Sequence, residues 1–122
     1  MMMKLRRNNP KRFSWYQEAL NETAKYPEKG TGSLIAVTYC ALGLGEAGEV
    51  QGKVKKIWRD DNGVISDEKR AAILDELGDT LWYVTRAAHE LGSSLEEIAF
   101  NNVVKLRDRN ARGVIQGSGD NR

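Results

Sequence analysis

Apolar positions along this chain recur three and four residues apart, and nowhere do they alternate over a useful length. Phe13, Tyr16, Leu20 and Ala24 keep that spacing, which predicts a first helix over 12–26, ended by "YPEKGTG". Ser33 is placed to cap a long second helix reaching about Arg59, with Ile35, Tyr39, Val50, Val54 and Ile57 along one flank. After the loop "RDDNGVIS", Ser66 or Asp67 caps a third helix over about 67–91, and Gly92 ends it. Leu74, Leu77, Leu81, Val84 and Ala88 form its apolar stripe. Ser94 and Glu97 make an S-x-x-E capping box for a fourth helix from 95 to about 111. The tail "GVIQGSGDNR" is glycine-rich and not helical. Four helices with short connections predict an all-α antiparallel four-helix bundle, one domain over 1–122.

Composition narrows the setting. A chain of 122 residues with 40% hydrophobic and 30% charged content is that of one soluble globular domain. No apolar run approaches the roughly 20 residues of a membrane span. The start "MMMKLRRNNP" has no apolar segment behind its basic residues, so neither a membrane nor secretion is expected. The single Cys40 excludes an internal disulfide framework and fits a reducing cytoplasm. With a net charge of +2, composition gives no reason to expect nucleic acid as a partner. Lys4, Arg6, Arg7, Lys11 and Arg12 make the N-terminus basic, and 1–11 reads as solvated or disordered. Lys105, Arg107, Arg109, Arg112 and Arg122 do the same near the other end, where an anionic ligand is expected.

The chemistry lies in the acids. Within "GLGEAGEVQGKVKK", residues 43–56, Glu46, Glu49, Lys53 and Lys56 share an arc of about 80° at 100° per residue. The apolar stripe borders one flank of that arc, and Gly45, Gly48 and Gly52 border the other. Each glycine inside a helix costs about 0.5–1 kcal/mol against alanine. The aligned three are expected to clear backbone for a close approach beside Glu46 and Glu49; Gly43 points elsewhere and has no assigned part. In "LDELGDTLWYVTR" the pattern repeats: Glu76 and Asp79 are i and i+3 with Gly78 between them, and Tyr83 and Arg86 continue the face. Antiparallel packing of the second and third helices brings four carboxylates together. Like charges converging in a partly desolvated place favour protonation unless a divalent cation neutralises them. All-oxygen donors suit Mg²⁺ or Mn²⁺ better than zinc or copper. A di-iron bundle needs Glu-x-x-His, but the one histidine, His89, follows Arg86 at that spacing and reads as structural. From pattern alone, plain solvated acidic faces stand equally beside the metal site. "GEVQGK" is not a P-loop, since Ala47 stands where the first glycine belongs and Val54 where the hydroxyl belongs.

These residues resemble the MazG-like nucleoside triphosphate pyrophosphohydrolases, whose signature is E-x-x-E, a spacer, then E-x-x-D. Here the spacer between Glu49 and Glu76 is 26 residues. The similarity extends to "YQEALNETAKYP" and "NVVKLRDRNARGVIQGSGDNR", so it runs from about residue 13 onward, and the ending resembles small stand-alone members, including phage-encoded ones. The resemblance implies a helical enzyme working as a homodimer or homotetramer. It implies Glu46, Glu49, Glu76 and Asp79 as ligands of Mg²⁺ or Mn²⁺, with Glu46 or Glu49 taking the proton of the attacking water. The implied reaction converts an NTP or dNTP to the monophosphate and pyrophosphate. Lys53 and Lys56 are implied near the phosphates. Asn102, Lys105 and Arg109 would contact the nucleotide, and Arg112 with the tail would close over it. Many members carry a further glutamate where this chain has Gly45, which leaves the number of cations open. Trp15, Tyr16, Gln17 and Tyr26 offer stacking faces and an amide for the base, with a purine, guanine first, preferred. Trp58 and Trp82 read as packing residues. The alternative is a helical nucleotide- or nucleic-acid-binding module without turnover.

Overall fold

The computed structural model describes residues 12–114 and 116; the basic segment 1–11 and most of the glycine-rich tail lie outside them. Among the described residues the chain is all helix. The elements are α1 (Phe13–Ala19), a 3-10 turn (Leu20–Glu22), α2 (Leu34–Gly43), α3 (Glu46–Asp60), α4 (Asp67–Glu90) and α5 (Leu95–Ala111). None of these helices is long and apolar enough to cross a membrane. α4 is the spine: α2 and α3 pack along it, and α5 lies against both α4 and α1.

The helix starts follow local chemistry. Ser33, Ser66 and Ser94 each accept, through the side-chain hydroxyl, the N–H of the residue three further on, satisfying an orphan donor. α4 stops where Gly92 takes a φ of 76°, which lets the Ser93 N–H return to the Ala88 carbonyl. Two predicted helices differ. The first ends at Ala19, because the Leu20 carbonyl attracts the N–H groups of Thr23 and Ala24 and the Thr23 hydroxyl, tightening the chain into a 3-10 turn. The second divides into α2 and α3 at Leu44–Gly45.

The buried apolar set is small: Leu20, Ala24, Tyr26, Ala36, Cys40, Ile57, Ala88 and Leu95, with Trp82 and Ala87 packed against part of it. Ile35, Val54, Leu74, Leu77 and Leu81, expected on apolar stripes, stay exposed in the single chain. α1 packs chiefly on α5, so it leaves these faces of α2, α3 and α4 uncovered. Trp58 is 84% exposed, which corrects its expected packing role.

Candidate functional site

The site begins with the division of the second helix. A Cβ on Gly43 would sit 2.1 Å from the Tyr83 ring, so that ring rests directly on bare backbone. Beyond it, Leu44 (φ −61°, ψ −11°) and Gly45 (φ −56°, ψ −19°) stay helical, but the N–H groups of Leu44, Gly45, Ala47 and Gly48 bond three residues back rather than four. The helix is overwound there, not interrupted by a loop. Glu46 and Glu49 consequently occupy the first turn of α3, where the helix dipole favours negative charge. Of the aligned glycines, a Cβ on Gly45 would stand 3.2 Å from the Leu42 carbonyl oxygen, whereas one on Gly48 or Gly52, or on Gly78 of α4, would meet no atom of the chain within 4 Å. The tightest approach within the chain falls instead at Gly43, which the pattern left without a part.

α3 and α4 then bring three carboxylates together. One oxygen each from Glu46, Glu76 and Asp79 lies within 4.8 Å of the others. Glu49 is exposed and outside this group, though its charge reaches Glu46. Burial first, then the charges of Glu76 and Asp79, push the Glu46 carboxyl above its ordinary range. Lys53 Nζ stands 3.7 Å from Glu76 Oε1. The other oxygen of that carboxylate, Oε2, is buried with no hydrogen-bond partner. An orphaned buried acceptor costs about 1–3 kcal/mol, more when charged. A hard divalent cation among three oxygen donors would remove both the orphan and the repulsion, so the residues fit Mg²⁺ or Mn²⁺.

Beside the acids opens a cleft of about 360 Å³, lined by Thr23, Tyr39, Glu46, Asp79, Trp82 and Tyr83. Its wall is aromatic. Trp82 meets Tyr83 edge-on with ring centres 5.0 Å apart, and Tyr39 lies 6.4 Å from Tyr83. The Trp82 indole N–H donates to Thr23 Oγ1 at 2.8 Å. Burial, followed by the charge of Asp79, raises the Tyr16 phenol, placing that ring in electrostatic reach of the acids.

The remaining expected residues divide. Lys53 joins the cluster, whereas the charge of Lys56 contributes to lowering Asp60 at the far end of α3. Gln17 Oε1 accepts the Leu95 N–H at 3.1 Å, tying α1 to the first turn of α5. Trp15 is half-buried on α1; Asn102 and Lys105 are exposed on α5; Arg109 is buried there; Arg112 pairs with Asp108 at 2.9 Å. Among the described residues none of these lines the cleft, and closure by the tail falls largely outside them. Thr23, Tyr39 and Trp82 were missed as cleft residues, and Tyr83 was placed on the face of Glu76 and Asp79 without a role. Trp82 and Tyr83 carry a signal, standing three and four positions after Asp79 and so on its face. Tyr39 and Thr23 carry none, since only the fold delivers them.

A family model described as the MazG nucleotide pyrophosphohydrolase domain matches residues 37–114. The chain is 50% identical over 109 residues to the Gene 37 protein of Mycobacterium phage L5, covering 88% of this chain and 96% of that protein. No solved structure matches.

Proposed function

The chain belongs to the MazG nucleotide pyrophosphohydrolase family, and on that premise we propose that it hydrolyses a nucleoside triphosphate, ribo or deoxy, to the monophosphate and pyrophosphate. The observation that carries the reading is the gathering of Glu46, Glu76 and Asp79, one oxygen orphaned, at the edge of an aromatic cleft. Those three would hold Mg²⁺ or Mn²⁺. Such an ion, when bound, neutralises phosphate oxygens and acidifies water.

The chain's own groups supply the rest. Lys53 adds a point charge toward the polyphosphate. Glu49, outside the ligand group but close to it, takes the proton of the water that attacks the α-phosphorus. The bond from that phosphorus to the bridging oxygen breaks, and the electron pair leaves with pyrophosphate. The nucleoside lies along Tyr39, Trp82 and Tyr83, where stacking is worth about 1–3 kcal/mol per base and favours the larger ring of a purine, guanine first. The exposed apolar stripes of α2, α3 and α4 are proposed to be covered by further copies in a homodimer or homotetramer. The free buried thiol of Cys40 accords with a cytoplasmic setting.

A panel of ribo- and deoxyribonucleoside triphosphates, each with Mg²⁺ or Mn²⁺, tests the reading. Monophosphate and pyrophosphate are expected in equal amounts, and Asp79→Asn is expected to lower turnover at least about 100-fold. Release of orthophosphate would overturn the reaction. Metal-dependent binding without turnover would instead establish a nucleotide-binding module.

A further inference from the structure

Beyond the cleft wall, α4 buries two oppositely charged side chains, Arg86 at 1% and Glu90 at 5% exposure. Neither lines the cleft nor belongs to the carboxylate group. Their hydrogen bonds nevertheless converge on what stands behind it. Arg86 Nε and Nη2 donate to the Tyr26 hydroxyl at 3.0 and 2.8 Å, and that hydroxyl donates to Glu90 Oε1 at 2.6 Å. The one proton and both lone pairs of the phenol oxygen are thus engaged, which fixes the ring as well as the hydroxyl. Glu90 also accepts the N–H groups of Gly30 and Gly32 at 2.7 and 2.9 Å, closing the loop that follows Tyr26. The third Arg86 donor, Nη1, reaches Asn21 Oδ1 at 3.2 Å.

Each of these ties leads to the cleft. The Tyr26 ring stacks on Tyr39 with centres 5.1 Å apart and planes 16° apart, and it meets Trp82 edge-on at 6.3 Å. Asn21 stands two residues before Thr23, whose hydroxyl holds the Trp82 indole. A buried ion pair is weak evidence for stability, because apolar groups of similar volume often serve as well. What this network supplies, and an apolar filling would not, is a defined orientation for Tyr39, Trp82 and the turn bearing Thr23.

We propose that Tyr26, Arg86 and Glu90 are positioning residues for the nucleotide-binding wall, setting base selection and affinity through Tyr39 and Trp82 without acting on the carboxylate cluster. This rests on the pyrophosphohydrolase reading and adds to it a buried determinant of specificity.

Tyr26→Phe keeps the ring and removes the hydroxyl. Its KM for the best triphosphate is expected to rise about ten-fold, the effect of roughly one net hydrogen bond. The kcat/KM ratio between the best purine and best pyrimidine triphosphate should shrink by a similar factor. Turnover at saturation should stay within about three-fold, and Mn²⁺ affinity without nucleotide, read by electron paramagnetic resonance, should not move. Asn21→Ala, at an exposed position, should act in the same direction by a few-fold. Unchanged KM and base ratio in both variants would overturn the proposal, as would a loss carried by kcat or Mn²⁺ affinity. Should Tyr26→Phe fail to fold, Asn21→Ala alone decides by the same criterion. Absence of turnover in the unaltered protein would sink the hydrolase reading instead. Nucleotide affinities of the same variants by calorimetry would then judge the positioning roles.

Discussion

Glu76 and Asp79 lie near the middle of α4, while Arg86 and Glu90 lie near its C-terminal end, and the two pairs meet opposite fates on one helix. The first pair faces another acid, Glu46, across a gap of a few ångströms, with one oxygen orphaned and Lys53 at 3.7 Å. The second pair is nearly solvent-free, and its donors and acceptors are met by a phenol, an amide oxygen and two backbone N–H groups. Satisfied buried polar groups rigidify a core, whereas mutually repelling groups at a cleft suit the cation proposed above. On that reading the helix keeps its fully paired charges and its ligand-holding charges about two turns apart at their nearest.

The largest effect expected from this contrast is on stability. Arg86→Met would strand Glu90 without its cation and take two donors from Tyr26, a loss of about 3–5 kcal/mol. Urea unfolding of the metal-free protein measures it. Asp79→Asn, in the same assay, should leave the midpoint unchanged or higher, since it removes a like charge. Equal losses at both positions would break the comparison.

A smaller effect separates the glycines. Gly43→Ala drives a Cβ into the Tyr83 ring, an overpacking cost of about 1–3 kcal/mol, and disturbs the cleft. Gly48→Ala, which would meet nothing, should gain about 0.5–1 kcal/mol by helix propensity. Thermal melts of the two variants should shift in opposite directions.

These glycines also show where sequence reasoning stops. Serine caps at 33, 66 and 94 were legible because a cap is a three-residue interaction. The acid pairs were legible because helical spacing alone aligns i and i+3. Gly43 was opaque because its reason, Tyr83, stands forty positions away. Tyr26 and Glu90 were opaque likewise, being joined across 64 positions through a loop with no periodicity. The stripes on α3 and α4 were read as core, and the single chain leaves much of them exposed, since periodicity marks an apolar face without naming what covers it.

The two regions of α4 should finally differ in the sign of their pH dependence. Burial alone would raise the Glu90 carboxyl. The Tyr26 hydroxyl, the Gly30 and Gly32 amides and Arg86 outweigh it and hold the group below the ordinary value of 4.5. A depressed carboxylate contributes stability that is present above its unfolded pKa and lost as pH falls through the folded one. Glu46 runs the other way: raised by burial and by Glu76 and Asp79, it favours the folded state when protonated and loses that contribution as pH rises through its folded pKa. In metal-free protein, Glu90→Gln should therefore flatten the fall in melting temperature below pH 4.5. Glu46→Gln should melt higher than the parent near neutrality, with the gap closing as the medium is acidified. Mn²⁺ added at neutral pH should close the same gap by neutralising the charge that opens it. Slopes of one sign for both variants would show that the acids share a single environment, and that the charges of α4 are not divided between holding the fold and awaiting a ligand.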